Sequence, residues 1–447
     1  MGGKIRNNLY FRIIGQNNIS ELLYFKILNL MKFIIEGGRL LKGEVNISGA
    51  KNSALAIMPA SILLSKPLIL KNVPDVEDVR TMIELLKYLG VKINKIKKNV
   101  IEIDPRDINK YQAPYELISK MRASIYVLGP LLVKFGKAIV YMPGGCSFGP
   151  RPIDFHIEGL RRMGAEIKIE HGNIIANVNE FKSAYIQLPF RSVGATIHLM
   201  MTSSLLKGKE IIISNCALEP EVVDLANFLN KAGAKIYGAG YDEIRIEGVE
   251  NLEIDEYEII PDRIEAGTFL VAGSFENNEI IIKNFILEHI KPIIQKLNEA
   301  GIFPFIEKDR IIVKGVKKPK AIEIQTQPFP GFPTDMQAQF MTLLSIANGI
   351  SIIKENIYPN RFAHAYELMR MSADIKITEN IAIVKGVEKL TSAIVNATDL
   401  RASASLVLAG LIAEGKTIIE NVEHIDRGYE DIEIKLNSIG AKIERIL

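Results

Sequence analysis

Lys51-Asn52-Ser53-Ala54 opens the stretch Ala50 to Leu64 (AKNSALAIMPASILL), rich in Ala and Ser and apolar on most sides, which reads as a buried helix. Five more small-residue segments follow at a spacing of roughly 70 residues: Arg122-Ala123-Ser124, Val193-Gly194-Ala195-Thr196, Arg263-Ile264-Glu265-Ala266-Gly267, Asp335-Met336-Gln337-Ala338-Gln339 and Arg401-Ala402-Ser403-Ala404-Ser405. Each starts an apolar run long enough for a helix. A second marker keeps step with the first: Leu89-Gly90-Val91, Met163-Gly164-Ala165, Ala232-Gly233-Ala234, Ala300-Gly301-Ile302, Met371-Ser372-Ala373 and Ile439-Gly440-Ala441. The chain therefore reads as a sixfold repeat of one supersecondary unit.

Around the first buried helix, Gly43 to Ser48 alternates like a strand and Pro67 to Val73 is a second strand. Glu77 to Leu89 has helical spacing of polar and apolar residues and is closed by Gly90. Val91 to Ile96 and Val100 to Ile103 form a hairpin. The unit is β-α-β-α-β-β, and Glu210 to Ser214, Glu279 to Lys283, Ile350 to Lys354 and Lys416 to Glu420 repeat its second strand. One nearly all-apolar helix and one amphipathic helix per unit suit a globule with helices inside. Three units make a domain of about 200 residues. The expected fold is α/β, with residues 51–260 as one domain and residues 31–50 plus 261–447 as the other. The chain then crosses twice between them, which favours a hinge around a cleft.

An apolar content of 48% with 24% charged residues is that of a soluble globular protein. A net charge of +3 gives no reason to expect nucleic acid or a membrane surface as a partner. The longest apolar runs, Ala54 to Leu64 and Ile125 to Val133, are too short to span a bilayer. Two cysteines, Cys146 and Cys216, make no disulfide framework and fit a reducing cytoplasm. The six histidines show no metal spacing, and neither a Walker loop nor a full GxGxxG is present, which argues against a metal hydrolase, a P-loop ATPase or a nicotinamide enzyme. No cofactor is expected. Residues 1–30 lie outside the repeat and lack the features of a secretory signal. They read as a disordered extension, or as sequence upstream of a true start at Met31.

Met142-Pro143-Gly144-Gly145-Cys146-Ser147-Phe148-Gly149-Pro150-Arg151-Pro152 is the most unusual local sequence. Its Gly and Pro content makes an exposed, shaped loop, in which Cys146 is accessible and Arg151 tends to lower its pKa. Cys216 has no glycine beside it and reads as inert core. Lys51, Arg122, Arg151, Arg263, Arg361, Arg401 and Arg427 recur at helix starts or in strand-to-helix loops. Together they suggest substrates that carry several negative charges. The N–H groups of Val193 and Gly194 could hold a phosphate. Asp335 and Asp399 stand at matching helix starts, where each reads as an N-cap or, beside so many cations, as a general base. Glu219 reads as a loop capper or a site residue.

These segments together resemble the enolpyruvyl transferases, and among them the branch whose acceptor is UDP-N-acetylglucosamine. The likeness runs from Met31 to Leu447. It rests on Ser48-Gly49-Ala50-Lys51-Asn52, the Gly144 to Pro152 loop, Phe332-Pro333-Thr334-Asp335-Met336-Gln337-Ala338-Gln339, Asp399-Leu400-Arg401-Ala402-Ser403-Ala404 and His424-Ile425-Asp426-Arg427-Gly428-Tyr429. The resemblance implies an inside-out α/β barrel in each of two domains, with the site in the cleft. It implies transfer of the enolpyruvyl group of phosphoenolpyruvate to the sugar 3-hydroxyl, the first committed step of peptidoglycan synthesis, in the cytoplasm. By analogy Cys146 is the acid at the methylene carbon and Asp335 receives the hydroxyl proton. Lys51, Asn52, Arg122, Arg151 and Arg427 would hold phosphoenolpyruvate. Arg122, the segment Arg151, Pro152, Ile153, Asp154 and Phe155, with Ser192, Val193, Gly194, Asp335 and Ile357, would line the nucleotide-sugar site. Glu219, Arg361, Asp399 and Arg401 would support them. A shikimate 3-phosphate acceptor ranks second, because that branch is expected to lack the Gly-Gly-Cys loop. A non-catalytic sugar-nucleotide-binding regulator ranks behind it, because Lys51, Cys146, Asp335 and Arg427 are all present. A chain shortened to begin at Met31 should fold and keep full turnover. Loss of soluble protein on that truncation would show residues 1–30 to be structural.

Overall fold

The computed structural model describes residues 31–144 and 153–446. The N-terminal extension and the centre of the glycine-rich loop, with Cys146, Arg151 and Pro152, lie outside the described residues.

The fold is α/β. Six four-stranded sheets share one strand order: a short strand parallel to a central strand, then two antiparallel neighbours. In the third repeat, Ala184–Gln187 runs parallel to Glu210–Ser214, which pairs antiparallel with Glu243–Glu247 and through it with Lys235–Tyr237. Strand residues alternate between buried and exposed, so one face of each sheet packs inward.

Three strands leave their own unit. Lys42–Asn46 precedes the helix Lys51–Ala60 but pairs with Glu279–Lys283. Glu256–Glu258 precedes the helix Arg263–Gly273 but pairs with Leu68–Lys71. Lys32–Glu36 enters the last sheet between Lys416–Glu420 and Ile443–Ile446, where it supplies the missing hairpin strand. The buried apolar side chains accordingly fall into two clusters. One draws on residues between Ala50 and Ile259, the other on Phe33 to Ile47 together with Ile264 to Ile443.

Lys51–Ala60, Val193–Ser203, Arg263–Gly273, Gln337–Leu344 and Leu400–Ile412 are buried along nearly their whole length. The second repeat differs: Arg122–Val127 is a 3₁₀ helix that becomes α only over Leu128–Phe135. Pro130 has no N–H for the Tyr126 carbonyl, so the α ladder cannot run unbroken through this segment. The amphipathic helix of the sixth repeat is also interrupted, into Glu423–Asp426 and Ile432–Ser438, with Asp431 left-handed at φ 50°. Arg427 and Tyr429 lie in that break.

A tie recurs at the end of the central strand. Asn72, Asn215 and Asn284 follow it with φ of 57°, 57° and 58°. Their amides donate to the carbonyl just beyond the parallel neighbour, those of Ile259, Leu188 and Ile47, at 2.8, 2.8 and 2.6 Å. Asn421, with φ 58°, donates instead to the Asn396 side chain. Asparagine suits the place because it tolerates left-handed backbone.

After the amphipathic helix the backbone again turns left-handed, at Gly90, Gly164, Gly233, Gly301 and Gly440 with φ between 82° and 113°. The fifth repeat has Ser372 there, at φ 71°. A Cβ in that conformation costs about 1 kcal/mol. Ser372→Gly should therefore raise the Tm by about 2–4 °C in thermal denaturation. A Tm that fell would mean that the Ser372–Thr391 hydroxyl contact at 2.7 Å outweighs the backbone relief.

Candidate active site

The starts of the buried helices carry the charges, and tertiary contacts pair them. Lys51 begins its helix and its Nζ lies 3.0 Å from Asp78 Oδ2. The other Asp78 oxygen accepts from Arg427 Nε at 3.0 Å, so one carboxylate joins a cation from each core. Burial raises the Asp78 carboxyl, but Lys51 and Arg427 outweigh it and hold the group below its usual range. Three residues past Arg427, Glu430 reaches back and accepts from Asp75 N–H at 3.2 Å and Asn99 Nδ2 at 2.7 Å. Neither acid was legible in the sequence: Asp78 reads as an ordinary acidic residue in the first turn of Glu77–Leu89.

Asp335 and Asp399, alike in sequence, do different work. Asp399 is an N-cap, accepting from the N–H groups of Arg401 and Ala402 at 2.8 and 3.1 Å. Asp335 caps nothing. Its Oδ1 faces Arg361 Nη2 at 2.8 Å and Arg401 Nε at 3.5 Å. Burial would raise this carboxyl, yet the guanidiniums of Arg401 and Arg361 drive it far below the usual carboxylate range. The arginine side chains are 5% and 7% exposed and Asp335 is 28% exposed, so the carboxylate is the part of the triad that solvent reaches. Arg401 also lies over the Tyr429 ring, 5.4 Å from its centroid, and Tyr429 bonds Thr268 and Gln339. Arg263 is spent on structure, in a buried pair with Glu221 at 3.0 Å.

Ser192 caps the helix Val193–Ser203 by accepting from Ala195 N–H, leaving Val193 and Gly194 half-buried at its start. Ile153 is buried at the start of Asp154–Arg162, Asp154 is exposed, and Phe155 meets Phe190 edge-on at 4.7 Å. Asn52 is exposed and Arg122 half-buried. Ile357 N–H donates to Glu355 at 2.8 Å. Glu219 occupies the N-cap position of Pro220–Lys231, but its side chain does not cap: one oxygen accepts from Phe329 N–H at 3.4 Å, and the other is buried without a partner among the described residues. Burial raises its carboxyl. Cys216 is fully buried, its thiol pushed up to about 12 by burial, as expected of inert core.

A family model described as EPSP synthase (3-phosphoshikimate 1-carboxyvinyltransferase) matches residues 35–436. The chain belongs to this family. A UDP-N-acetylglucosamine 1-carboxyvinyltransferase of Thermotoga petrophila is 50% identical over 416 residues, covering 93% of this chain and 99% of that protein. A UDP-N-acetylglucosamine 1-carboxyvinyltransferase 1 of Caldanaerobacter subterraneus subsp. tengcongensis is 51% identical over 418 residues, with the same coverage. Among solved structures, the enolpyruvyl transferase NikO from Streptomyces tendae superposes with a TM-score of 0.85 at 23% identity, over 93% of this chain and 99% of its own. An EPSP synthase from Acinetobacter baumannii gives 0.76 at 18%, over 94% of this chain and 100% of its own. At those identities the structural likeness establishes the fold.

Beneath the Gly194 turn lie two buried histidines, His156 and His198, with ring centroids 5.1 Å apart. His198 Nε2 accepts from Gly129 N–H at 2.9 Å, so its proton sits on Nδ1, which has no partner among the described residues. Burial lowers His198 to about 3 and, with His198 and Arg122 nearby, holds His156 well below its usual value. A histidine depressed in the folded state contributes stability that is full above pH 6.5 and is lost as pH falls, at about 2 kcal/mol each by pH 5. His198→Gln keeps an acceptor for Gly129. Denaturant unfolding at pH 7 and pH 5 should show this variant losing about 2 kcal/mol less than wild type over that interval. Equal losses would place the acid sensitivity elsewhere.

Proposed function

We propose that this chain transfers the enolpyruvyl group of phosphoenolpyruvate to the 3-hydroxyl of UDP-N-acetylglucosamine and releases phosphate. The observation that carries the reading is the near-complete, 50% identical match to proteins of that activity, over a chain whose buried cations gather around carboxylates. The shikimate 3-phosphate alternative is less supported, resting on the family description and on structures at 18% identity.

The proposed architecture is an inside-out barrel of three repeats in each half, helices inside and sheets outside. Residues 51–260 form one domain, residues 31–50 with 261–447 the other, and the site is the cleft between them. Lys51, Asn52, Arg122, Cys146 and Arg151 come from the first, Asp335, Arg361, Arg401 and Arg427 from the second. The hydroxyl oxygen of the sugar attacks C2 of phosphoenolpyruvate while Cys146 gives a proton to C3. The hydroxyl proton passes to Asp335. A C3 proton then returns to the Cys146 thiolate as phosphate leaves and the double bond is restored, and Asp335 releases its proton with the departing phosphate. Held between two guanidiniums, Asp335 is ionised and a weak base. It acts only as the C–O bond forms and the hydroxyl becomes acidic, and Lys51, Arg151 and Arg427 offset the anionic charge of phosphoenolpyruvate. The product feeds peptidoglycan synthesis, and the expected setting is the cytoplasm. Among the described residues no helix is long and apolar enough to cross a membrane.

Phosphate release from phosphoenolpyruvate with UDP-N-acetylglucosamine, and none with shikimate 3-phosphate, tests the assignment. Cys146→Ser should lower turnover by about 10²–10⁴-fold. Cys146→Asp should keep activity and escape inactivation by fosfomycin, an epoxide mimic of phosphoenolpyruvate, because a carboxylic acid donates a proton but attacks an epoxide poorly. An adduct mapped to Cys216, or wild-type turnover by Cys146→Ser, would overturn the acid assignment.

A further inference from the structure

The fifth repeat breaks the asparagine tie by one residue. Lys71, Ser214, Lys283 and Glu420 end their central strands and are followed directly by Asn. Lys354 is followed by Glu355, and only then by Asn356. The tie itself survives, moved along: Asn356 Nδ2 donates to the Thr326 carbonyl, just beyond the parallel strand Glu323–Gln325, at 3.1 Å. Glu355 thus stands directly after the strand, where the first, third, fourth and sixth repeats have their asparagine. It is a carboxylate with 0% exposure.

Burying a carboxylate is costly unless donors surround it, and four do. Glu355 Oε1 accepts from Thr326 Oγ1 at 2.7 Å and from the N–H groups of Ile357 and Tyr358 at 2.8 and 3.0 Å. Oε2 accepts from Thr334 Oγ1 at 2.9 Å. Thr334 in turn accepts from Arg361 Nη1 at 3.0 Å, and Arg361 Nη2 donates to Asp335 Oδ1 at 2.8 Å. One buried side chain therefore fixes the backbone of Ile357 and, through Thr334 and Arg361, the carboxylate of Asp335.

We propose that Glu355 is a positioning residue for the acceptor sugar. It sets the turn at residues 355–358 and couples that turn to Asp335. This rests on the reading of Asp335 and Ile357 as acceptor-site residues given above. Glu355 supplies what a plain asparagine tie cannot: a carboxylate able to hold two loops from the inside at once.

Glu355→Gln tests it at one bond. The amide oxygen can keep the Thr326, Ile357 and Tyr358 bonds, but the NH₂ group cannot accept the Thr334 hydroxyl proton and can only donate to that oxygen, which already accepts from Arg361, so the link towards Asp335 is the one altered. The expected result is a rise of about tenfold in KM for UDP-N-acetylglucosamine, a fall in kcat, and a KM for phosphoenolpyruvate unchanged within about twofold. Thr334→Val cuts the same link from the other side and should give the same split, which keeps the test decisive if Glu355→Gln does not fold. Glu355→Asp should recover part of the loss. Wild-type KM for the nucleotide sugar in the variants would overturn the proposal. So would an equal rise in both KM values with a lowered Tm, which is the mark of a merely structural role. Turnover of UDP-N-acetylglucosamine by the wild type is measured first. Its absence would sink the assigned reaction, whereas normal wild-type turnover with unsplit variants would sink only the role of Glu355.

Discussion

Helices buried on nearly every side impose the constraint on which this structure depends. A helix surrounded by protein must be built of small or apolar residues, and its first N–H groups and its dipole are buried with it. Lys51–Ala60, Val193–Ser203, Arg263–Gly273 and Leu400–Ile412 meet that demand with Ala, Gly, Ser and Thr among larger apolar residues. Three of the four starts meet it with a side-chain oxygen, Ser192, Asp262 and Asp399 each capping the helix that follows, and Lys51 N–H donates to Asp262 of the neighbouring segment. The arginines beside two of those caps are held by other acids, Arg263 by Glu221 and Arg401 by Asp335. Arg263 and Arg401 are buried cations that an apolar interior could not hold alone.

That economy leaves charge concentrated where the two cores meet. Asp78 and Arg427 bond across the seam one way, and Glu430 bonds to Asp75 and Asn99 in the reverse sense. At the same seam Gly49 pairs with Pro261, its Cα so close to the Asn72 carbonyl that a Cβ would sit 1.7 Å from the oxygen. The two crossing segments run side by side there, with Ala50 N–H on the Ile260 carbonyl and Asp262 N–H on the Ser48 carbonyl. Lys51 therefore stands directly after one crossing and Arg263 directly after the other, which ties the charged helix starts to the connection between the cores.

The candidate site gathers residues where the repeat departs from itself. The sixth amphipathic helix is broken, and Arg427 and Tyr429 occupy the gap. The fifth central strand is followed by a buried carboxylate, whose bonds lead towards Asp335. Conversely, the positions that recur in most units, the asparagine after the central strand in four and the left-handed glycine in five, are those whose role is set by backbone geometry. Repetition supplies a stable frame, and its exceptions hold side chains at the candidate site.

Much of the frame was legible from local chemistry. Apolar runs of small residues marked the buried helices, and Gly90 and its equivalents marked where amphipathic helices stop. The strand placed before Lys51 put residues 31–50 with the C-terminal part of the chain. Such features are set by residues a few positions apart, so sequence alone determines them. The segment from Arg122 was legible as a helix but not as 3₁₀, because that turned on one missing N–H at Pro130. The roles of the charged residues belong to another class. Asp335 and Asp399 look alike in sequence and separate only when Arg361 and Arg401 close on one and a helix N-terminus on the other. Asp78, Glu355 and Glu430 went unmarked because an acid in a first turn or a loop is ordinary by itself. What Asp78 and Glu430 do depends on partners more than 300 residues away, and what Glu355 does on loops that meet only in the folded chain. Only the tertiary structure could decide that, because the energy of a buried charge is fixed by what surrounds it in space and not by its neighbours along the chain.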